Sequence, residues 1–141
     1  MSQENYVEVQ FCTLTKKNGT SKPKLWRDAA EFFKVLAQHT KCHLHVVRGY
    51  EAESANSHEH AIISVYHDEV DRFMKRSATF KSNRAWSMQH EVVPFDNSKR
   101  EDAYRYVLVK HQPVMPDVSP EYFCPRKYHQ CKKGQCKHIP A

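Results

Sequence analysis

The stretch His58-Glu59-His60-Ala61-Ile62-Ile63-Ser64-Val65-Tyr66 constrains this chain more than any other. Its polarity alternates with a period of two, the side-chain period of a β-strand. Ala61, Ile63 and Val65 then share one face and call for a core, while His58, His60, Ile62 and Ser64 share the other. Side chains two apart on a strand stand about 6–7 Å from each other, close enough for both imidazoles to reach one metal ion. A bare His-x-His pair says little in a chain with ten histidines, where His43 and His45 form a second such pair. The surrounding residues have to supply the meaning.

A chain of 141 residues is expected to form one domain with a single core. Its 40% hydrophobic and 11% aromatic content argues against disorder. No apolar run approaches the ~18 residues of a membrane span, and the polar opening Met1-Ser2-Gln3-Glu4-Asn5 does not read as a signal peptide. An intracellular protein with no membrane partner is expected. The 22 Lys+Arg against 16 Asp+Glu give a net charge of +6, which favours a polyanionic partner. Five cysteines in a reducing compartment are not expected to form a disulfide framework.

Along the chain, Tyr6 to Thr15 is rich in β-formers and predicts a strand. A basic loop with Asn18-Gly19 and Pro23 follows, then an amphipathic helix over Leu25 to His39. Its apolar stripe is Trp26, Ala29, Ala30, Phe33, Leu36 and Ala37. A strand over Cys42 to Glu51 leads by a hairpin into the His58 strand. Asp68 is placed to cap a short helix over Glu69 to Arg76, and Trp86 to Phe95 predicts another strand. A last helix runs from Ser98 to Lys110, with Ser98 and Glu101 at capping-box spacing. The order β-α-β-β-α-β-α predicts an α+β fold, a central antiparallel β-sheet with helices packed on one face and the other face open.

Glu51 ends the strand expected to pair with the histidine strand, so its carboxylate can join the two imidazoles. Two neutral nitrogens and one carboxylate, with positions left open, suit a divalent ion that also binds phosphate oxygens and water. On the closing helix Tyr106 and Lys110 are four apart and share a face. There the ammonium can lower the phenol's pKa or hold a phosphate. A tyrosine nucleophile beside a metal that polarises a phosphodiester is a complete device for covalent strand cleavage. The plainer reading makes Tyr106 an ordinary helix residue docked on the sheet.

These residues together resemble the HUH endonucleases, the nicking domains of rolling-circle and rolling-hairpin replication initiators (Rep proteins). His58-Glu59-His60 is similar to the His-hydrophobic-His motif, with Glu as a departure at the middle position. Phe11-Cys12-Thr13-Leu14-Thr15 resembles the first motif of the family, and Tyr106-Val107-Leu108-Val109-Lys110 its Tyr-x-x-x-Lys motif. The Glu51-to-His58 spacing and the ending Lys110-His111-Gln112-Pro113 are similar to parvovirus-type Rep domains. The resemblance spans about residues 6–113 and implies a nuclease domain over residues 1–117. It implies Mg²⁺ or Mn²⁺ held by Glu51, His58 and His60, with Tyr106 attacking the scissile phosphate and Lys110 helping to position it. The products are a 5′-phosphotyrosyl link and a free 3′-OH. Tyr104, two residues away and so on the far side of a 3.6-residue helix, is the rival nucleophile.

Residues 118–141 read as a basic Cys/His-rich tail. Cys124, His129, Cys131 and Cys136 can make a zinc knuckle, with His138 as substitute for His129. The alternative is a basic C-terminus whose thiols are incidental. Lys16, Lys17, Lys24, Lys75, Arg76, Lys132 and Lys133 are candidates for phosphate contacts, although solvated loop faces look the same in sequence. No Gly-x4-Gly-Lys-Ser/Thr occurs, so a helicase is expected in trans or in a further domain. The expected partner is single-stranded or origin hairpin DNA. The expected location is the host nucleus for a eukaryotic virus, or the cytoplasm for a phage or plasmid. Two other readings stay open: a non-catalytic nucleic-acid-binding protein, and a transposase of the same superfamily.

Overall fold

The computed structural model describes residues 6–16, 21–51, 58–80, 88–110 and 121–125. The side chains of Lys22, Tyr50, Glu51, Met88, Gln89, Val109 and Lys110 lie outside that description. The fold is α+β: a five-stranded antiparallel sheet and three helices. In chain order the elements are β1 (Tyr6–Lys16), α1 (Lys22–Thr40), β2 (Leu44–Glu51), β3 (His58–Tyr66), α2 (Val70–Ser77), β4 (Met88–Pro94), α3 (Arg100–Arg105) and β5 (Glu121–Phe123). The strand order is β4-β1-β3-β2-β5, which makes β3 the central strand. Its residues from Glu59 to Val65 are all buried, because both faces of the sheet are covered there.

The larger core lies between the sheet and α1. Ser21 caps α1 by accepting from the Lys24 N–H at 3.3 Å, and Pro23 sits in the first turn, where a missing N–H costs nothing. Lys41 ends the helix in the left-handed region at φ 58°, and its N–H returns to the Ala37 carbonyl. Leu25, Ala29, Phe32, Phe33, Leu36 and Ala37 face Cys12, Leu14, Leu44, Val46, Ala61, Ile63 and Val65 of the sheet, and Phe73 of α2 joins them. Each fully buried aliphatic or aromatic side chain of this size contributes about 1.5–3 kcal/mol of transfer free energy.

The second face differs from the sequence-based expectation. It is not left open: Val107 packs on Val47 and Ile62, with Phe11, Phe95, Ala103 and Tyr104 around them. The closing helix therefore lies across the sheet from α1 and α2. The cause is that Ile62 and Val47 give the histidine face an apolar centre that needs covering. The helix itself is also shorter than expected. α3 gives way at Tyr106 to a π-helical turn over Tyr106–Lys110, so the α-helical offset expected between Tyr106 and Lys110 does not apply.

Two caps also differ. Asp96, not Ser98, starts the last helical segment, accepting from the Ser98 N–H at 3.0 Å. A 3₁₀ turn over His67–Glu69 precedes α2, and Asp68 makes no side-chain cap there. β5 falls in the segment assigned from sequence to the tail. It pairs with β2 through Leu44–Phe123, His45–Tyr122 and Val46–Glu121, so this part of the tail completes the sheet.

Candidate metal and nucleophile site

The antiparallel register converts two period-two motifs into one cluster. Thr13 stands opposite His60 and Thr15 opposite His58 on β1, while Gly49 and Glu51 stand opposite the same histidines on β2. Cross-strand partners share a face, so one face of three adjacent strands carries both imidazoles, two threonines and the Glu51 position. Gly49 leaves the β2 side of His60 without a side chain.

The rings of His58 and His60 lie 6.1 Å apart between centroids. His60 is buried, at 7% exposure, and its Nδ1 is 3.0 Å from Thr13 Oγ1. The half-buried Tyr106 ring lies 5.0 Å from the His60 ring, nearly perpendicular to it at 67°. Phe11 closes the group, 5.8 Å from His60 and 6.1 Å from Tyr106. Val107, buried against Val47 and Ile62, fixes the helical segment that delivers Tyr106. The structure thus brings three expected site residues together, His58, His60 and Tyr106, and places the Glu51 backbone beside them. The side chains of Glu51 and Lys110 lie outside the described residues.

Tyr104 goes elsewhere. Its hydroxyl donates to Glu8 Oε2 at 2.7 Å, and Arg100 Nε donates to the same oxygen at 2.7 Å. Burial, and then the Glu8 carboxylate that accepts its proton, hold the Tyr104 phenol well above its ordinary pKa. A phenol so held is a poor nucleophile. Of the competing histidines, His43 is bound by Glu69 through its backbone N–H at 2.8 Å and its ring at 3.1 Å. His45 is buried among Tyr6 and Tyr122, and desolvation pushes its pKa down to about 4.

The glutamate between the two histidines faces the α1 side of the sheet. Glu59 is fully buried and accepts two hydrogen bonds from Arg48, at 2.6 and 2.8 Å. Arg48 also donates to the Trp26 carbonyl at 2.6 Å and to Glu121, and its guanidinium lies 3.8 Å over the Trp26 ring. Burial pushes the Glu59 carboxyl up and the guanidinium opposes that push. The residue between the two histidines is thus one half of a buried ion pair that faces away from them.

The candidate phosphate contacts are scattered. Lys16 ends β1 with its side chain buried, 2.9 Å from Asp28, and Lys24 reaches the same carboxylate at 3.2 Å. Burial raises the Asp28 pKa, but these two ammonium groups more than reverse it. Lys16 is therefore a structural cation rather than a loop cation, because the strand extends one residue further than expected. Lys75 and Arg76 are exposed on α2, whose Phe73 belongs to the α1 core, so they stand behind the sheet from the histidines. Exposed Arg105, next to Tyr106 in the chain, carries a basic group on the closing helix that sequence reading passed over.

Lys17, His129, Cys131, Cys136, Lys132 and Lys133 lie outside the described residues. Cys124 is buried and disulfide-bonded, whereas the expectation was of no disulfide framework. Among the described residues no three His, Cys, Asp or Glu side chains form a ligand group, and no helix is long and apolar enough to cross a membrane. The His58–His60 pair still fits a divalent cation by its donor chemistry: two imidazoles on one face, one already oriented through its other nitrogen. The chain matches no family model, no curated protein and no solved structure.

Proposed function

We propose that the chain nicks and joins single-stranded DNA through a 5′-phosphotyrosine intermediate, as an initiator nuclease of the HUH kind. One observation carries the reading: the Tyr106 ring packs against His60 on the face that also holds His58. Val107 anchors the same segment on Val47 and Ile62 and so delivers the phenol to the imidazoles.

In this reading His58, His60 and Glu51 hold Mg²⁺ or Mn²⁺. The ion supplies charge neutralisation and polarisation of a phosphodiester oxygen. Tyr106 Oη attacks the scissile phosphorus, forming the O–P bond as the P–O3′ bond breaks. The phenol loses its proton and the departing 3′ oxygen gains one, leaving a free 3′-OH. Lys110 serves to position the phosphate. Rejoining is the same displacement run backwards by a 3′-OH. The α1 and α2 layer plays no part, because it packs on the other face of the sheet. A helicase supplied in trans or by a further domain opens the duplex that this domain nicks.

The test is a set of labelled single-stranded and hairpin oligonucleotides incubated with Mn²⁺. A covalent protein–DNA adduct that vanishes in Tyr106→Phe and persists in Tyr104→Phe supports the enzyme. Tight binding with no adduct under any divalent ion overturns it in favour of a non-catalytic nucleic-acid-binding protein. Joining of two ends with no priming 3′-OH left points to a transposase.

A further inference from the structure

The Thr13-Leu14-Thr15 and His58-Glu59-His60 triplets are the two sides of one ladder. Both repeat with period two, and the antiparallel register pairs Thr13 with His60 and Thr15 with His58. Each histidine therefore meets a β-branched hydroxyl residue on the neighbouring strand, held on the same face by the pleat. At Thr13 the meeting is a contact: Oγ1 is 3.0 Å from His60 Nδ1.

An imidazole that binds a metal through one nitrogen needs the other occupied by a hydrogen-bond partner, which selects the tautomer and fixes the ring plane. His60 is buried, with the Phe11 and Tyr106 rings 5.8 and 5.0 Å from its own, and aromatic walls restrict tilt without selecting a tautomer. A hydroxyl can serve either as donor or as acceptor toward Nδ1. When it accepts, Nδ1 carries the proton and Nε2 keeps its lone pair for a cation. When it donates, Nε2 carries the proton and cannot coordinate.

We propose that Thr13 is a positioning residue that accepts the His60 Nδ1–H and so presents Nε2, unprotonated, to the divalent ion. It touches neither substrate nor ion; it acts through His60. The inference rests on the metal reading of the site, yet its central claim concerns a tautomer that exists without the ion.

The experiment compares wild type, Thr13→Val and Thr13→Ser. Valine keeps the β-branched shape that suits the strand and deletes the hydroxyl; serine restores the hydroxyl on a smaller side chain. Thermal unfolding confirms that each variant is folded, and Thr13→Ser keeps the comparison usable if Thr13→Val is not. The ring ¹⁵N shifts of His60 in the metal-free protein report the tautomer, and Mn²⁺ titration reports affinity. The expected result is an Nδ1–H tautomer in wild type and Thr13→Ser, lost in Thr13→Val. Mn²⁺ affinity is expected to fall about 10–100-fold in Thr13→Val and to return toward wild type in Thr13→Ser. An Nε2–H tautomer in the wild type, or a Thr13→Val protein with wild-type tautomer and affinity, overturns the proposal. A wild type with the Nδ1–H tautomer and no Mn²⁺ binding overturns the metal reading instead.

Discussion

Arg48 and Glu59 meet face to face behind the histidine pair, joined by two hydrogen bonds of 2.6 and 2.8 Å and with both side chains at 1% exposure or less. The pair connects β2 to β3 at the residue between His58 and His60. Through Glu121 and the Trp26 carbonyl it also reaches β5 and α1. Removing one member strands a buried charge. Arg48→Met or Glu59→Gln is expected to cost about 3–5 kcal/mol of stability, read as a lower urea midpoint. The double variant Arg48→Met/Glu59→Leu is expected to recover part of that loss, because both fully buried charges are then gone and only the partly exposed Glu121 loses its partner. Equal destabilisation in the double variant would show that shape, rather than charge pairing, decides this site.

The two closing tyrosines are expected to separate cleanly. Tyr106→Phe removes covalent adduct formation. Tyr104→Phe keeps the adduct and loses about 1.5–3 kcal/mol, since it deletes a hydrogen bond to a carboxylate. Adduct gels and thermal unfolding of both variants check the pair of outcomes. The reverse pattern would make Tyr104 the nucleophile.

Metal binding is expected to reside in the imidazoles and to be independent of the phenol. Saturating Mn²⁺, at about 100 times Kd, is expected to stabilise wild type and Tyr106→Phe by about 2.7 kcal/mol. His58→Ala/His60→Ala is expected to show no such gain. Chelation should stop adduct formation while leaving DNA binding measurable.

Acid is expected to act through His45. Its folded pKa is about 4 against an ordinary 6.5, set by burial and only partly offset by Glu8, with the uncharged rings of Tyr6 and Tyr122 packed on it. Below pH 6.5 the unfolded chain takes up a proton that the folded one refuses. Stability contributed by this group is therefore intact above pH 6.5 and falls progressively toward pH 4, by on the order of 3 kcal/mol at its largest. His90, half-buried and also shifted down by desolvation, adds to the same slope. His45→Phe should flatten the stability profile between pH 6.5 and 4; an unchanged slope would assign the acid sensitivity elsewhere.

Charge is expected to matter on one side of the sheet only. Lys75→Ala/Arg76→Ala should leave oligonucleotide affinity and its salt slope unchanged, because α2 lies behind the histidines. Arg105→Ala should weaken binding and lower the salt slope by about one. Lys16→Ala should lower the melting temperature rather than the DNA affinity, since its ammonium is held by Asp28.

Much of the architecture was written in local pattern. The alternation from His58 to Tyr66 implied a strand buried on one face and functional on the other, and β3 spans those residues. The stripe along α1 was legible in part: Ala29, Phe33, Leu36 and Ala37 face the core as their spacing implied, whereas Leu25 and Phe32 join them there and Trp26 and Ala30 do not. Period-two spacing alone also put His58 and His60 side by side. What no local pattern carried was partner choice across the sheet. Which strand would set a threonine against His60, which face the closing helix would cover, and where Glu59 would find its countercharge all depend on residues distant in sequence: 47 positions for Thr13 and His60, 11 for Arg48 and Glu59, and about sixty for Val107 and Val47. Period and propensity act over one or two turns, whereas register and layer are decided when distant apolar faces must be buried together. In this protein Val107 seeking Val47 and Ile62 is the contact that brings Tyr106 to the histidines.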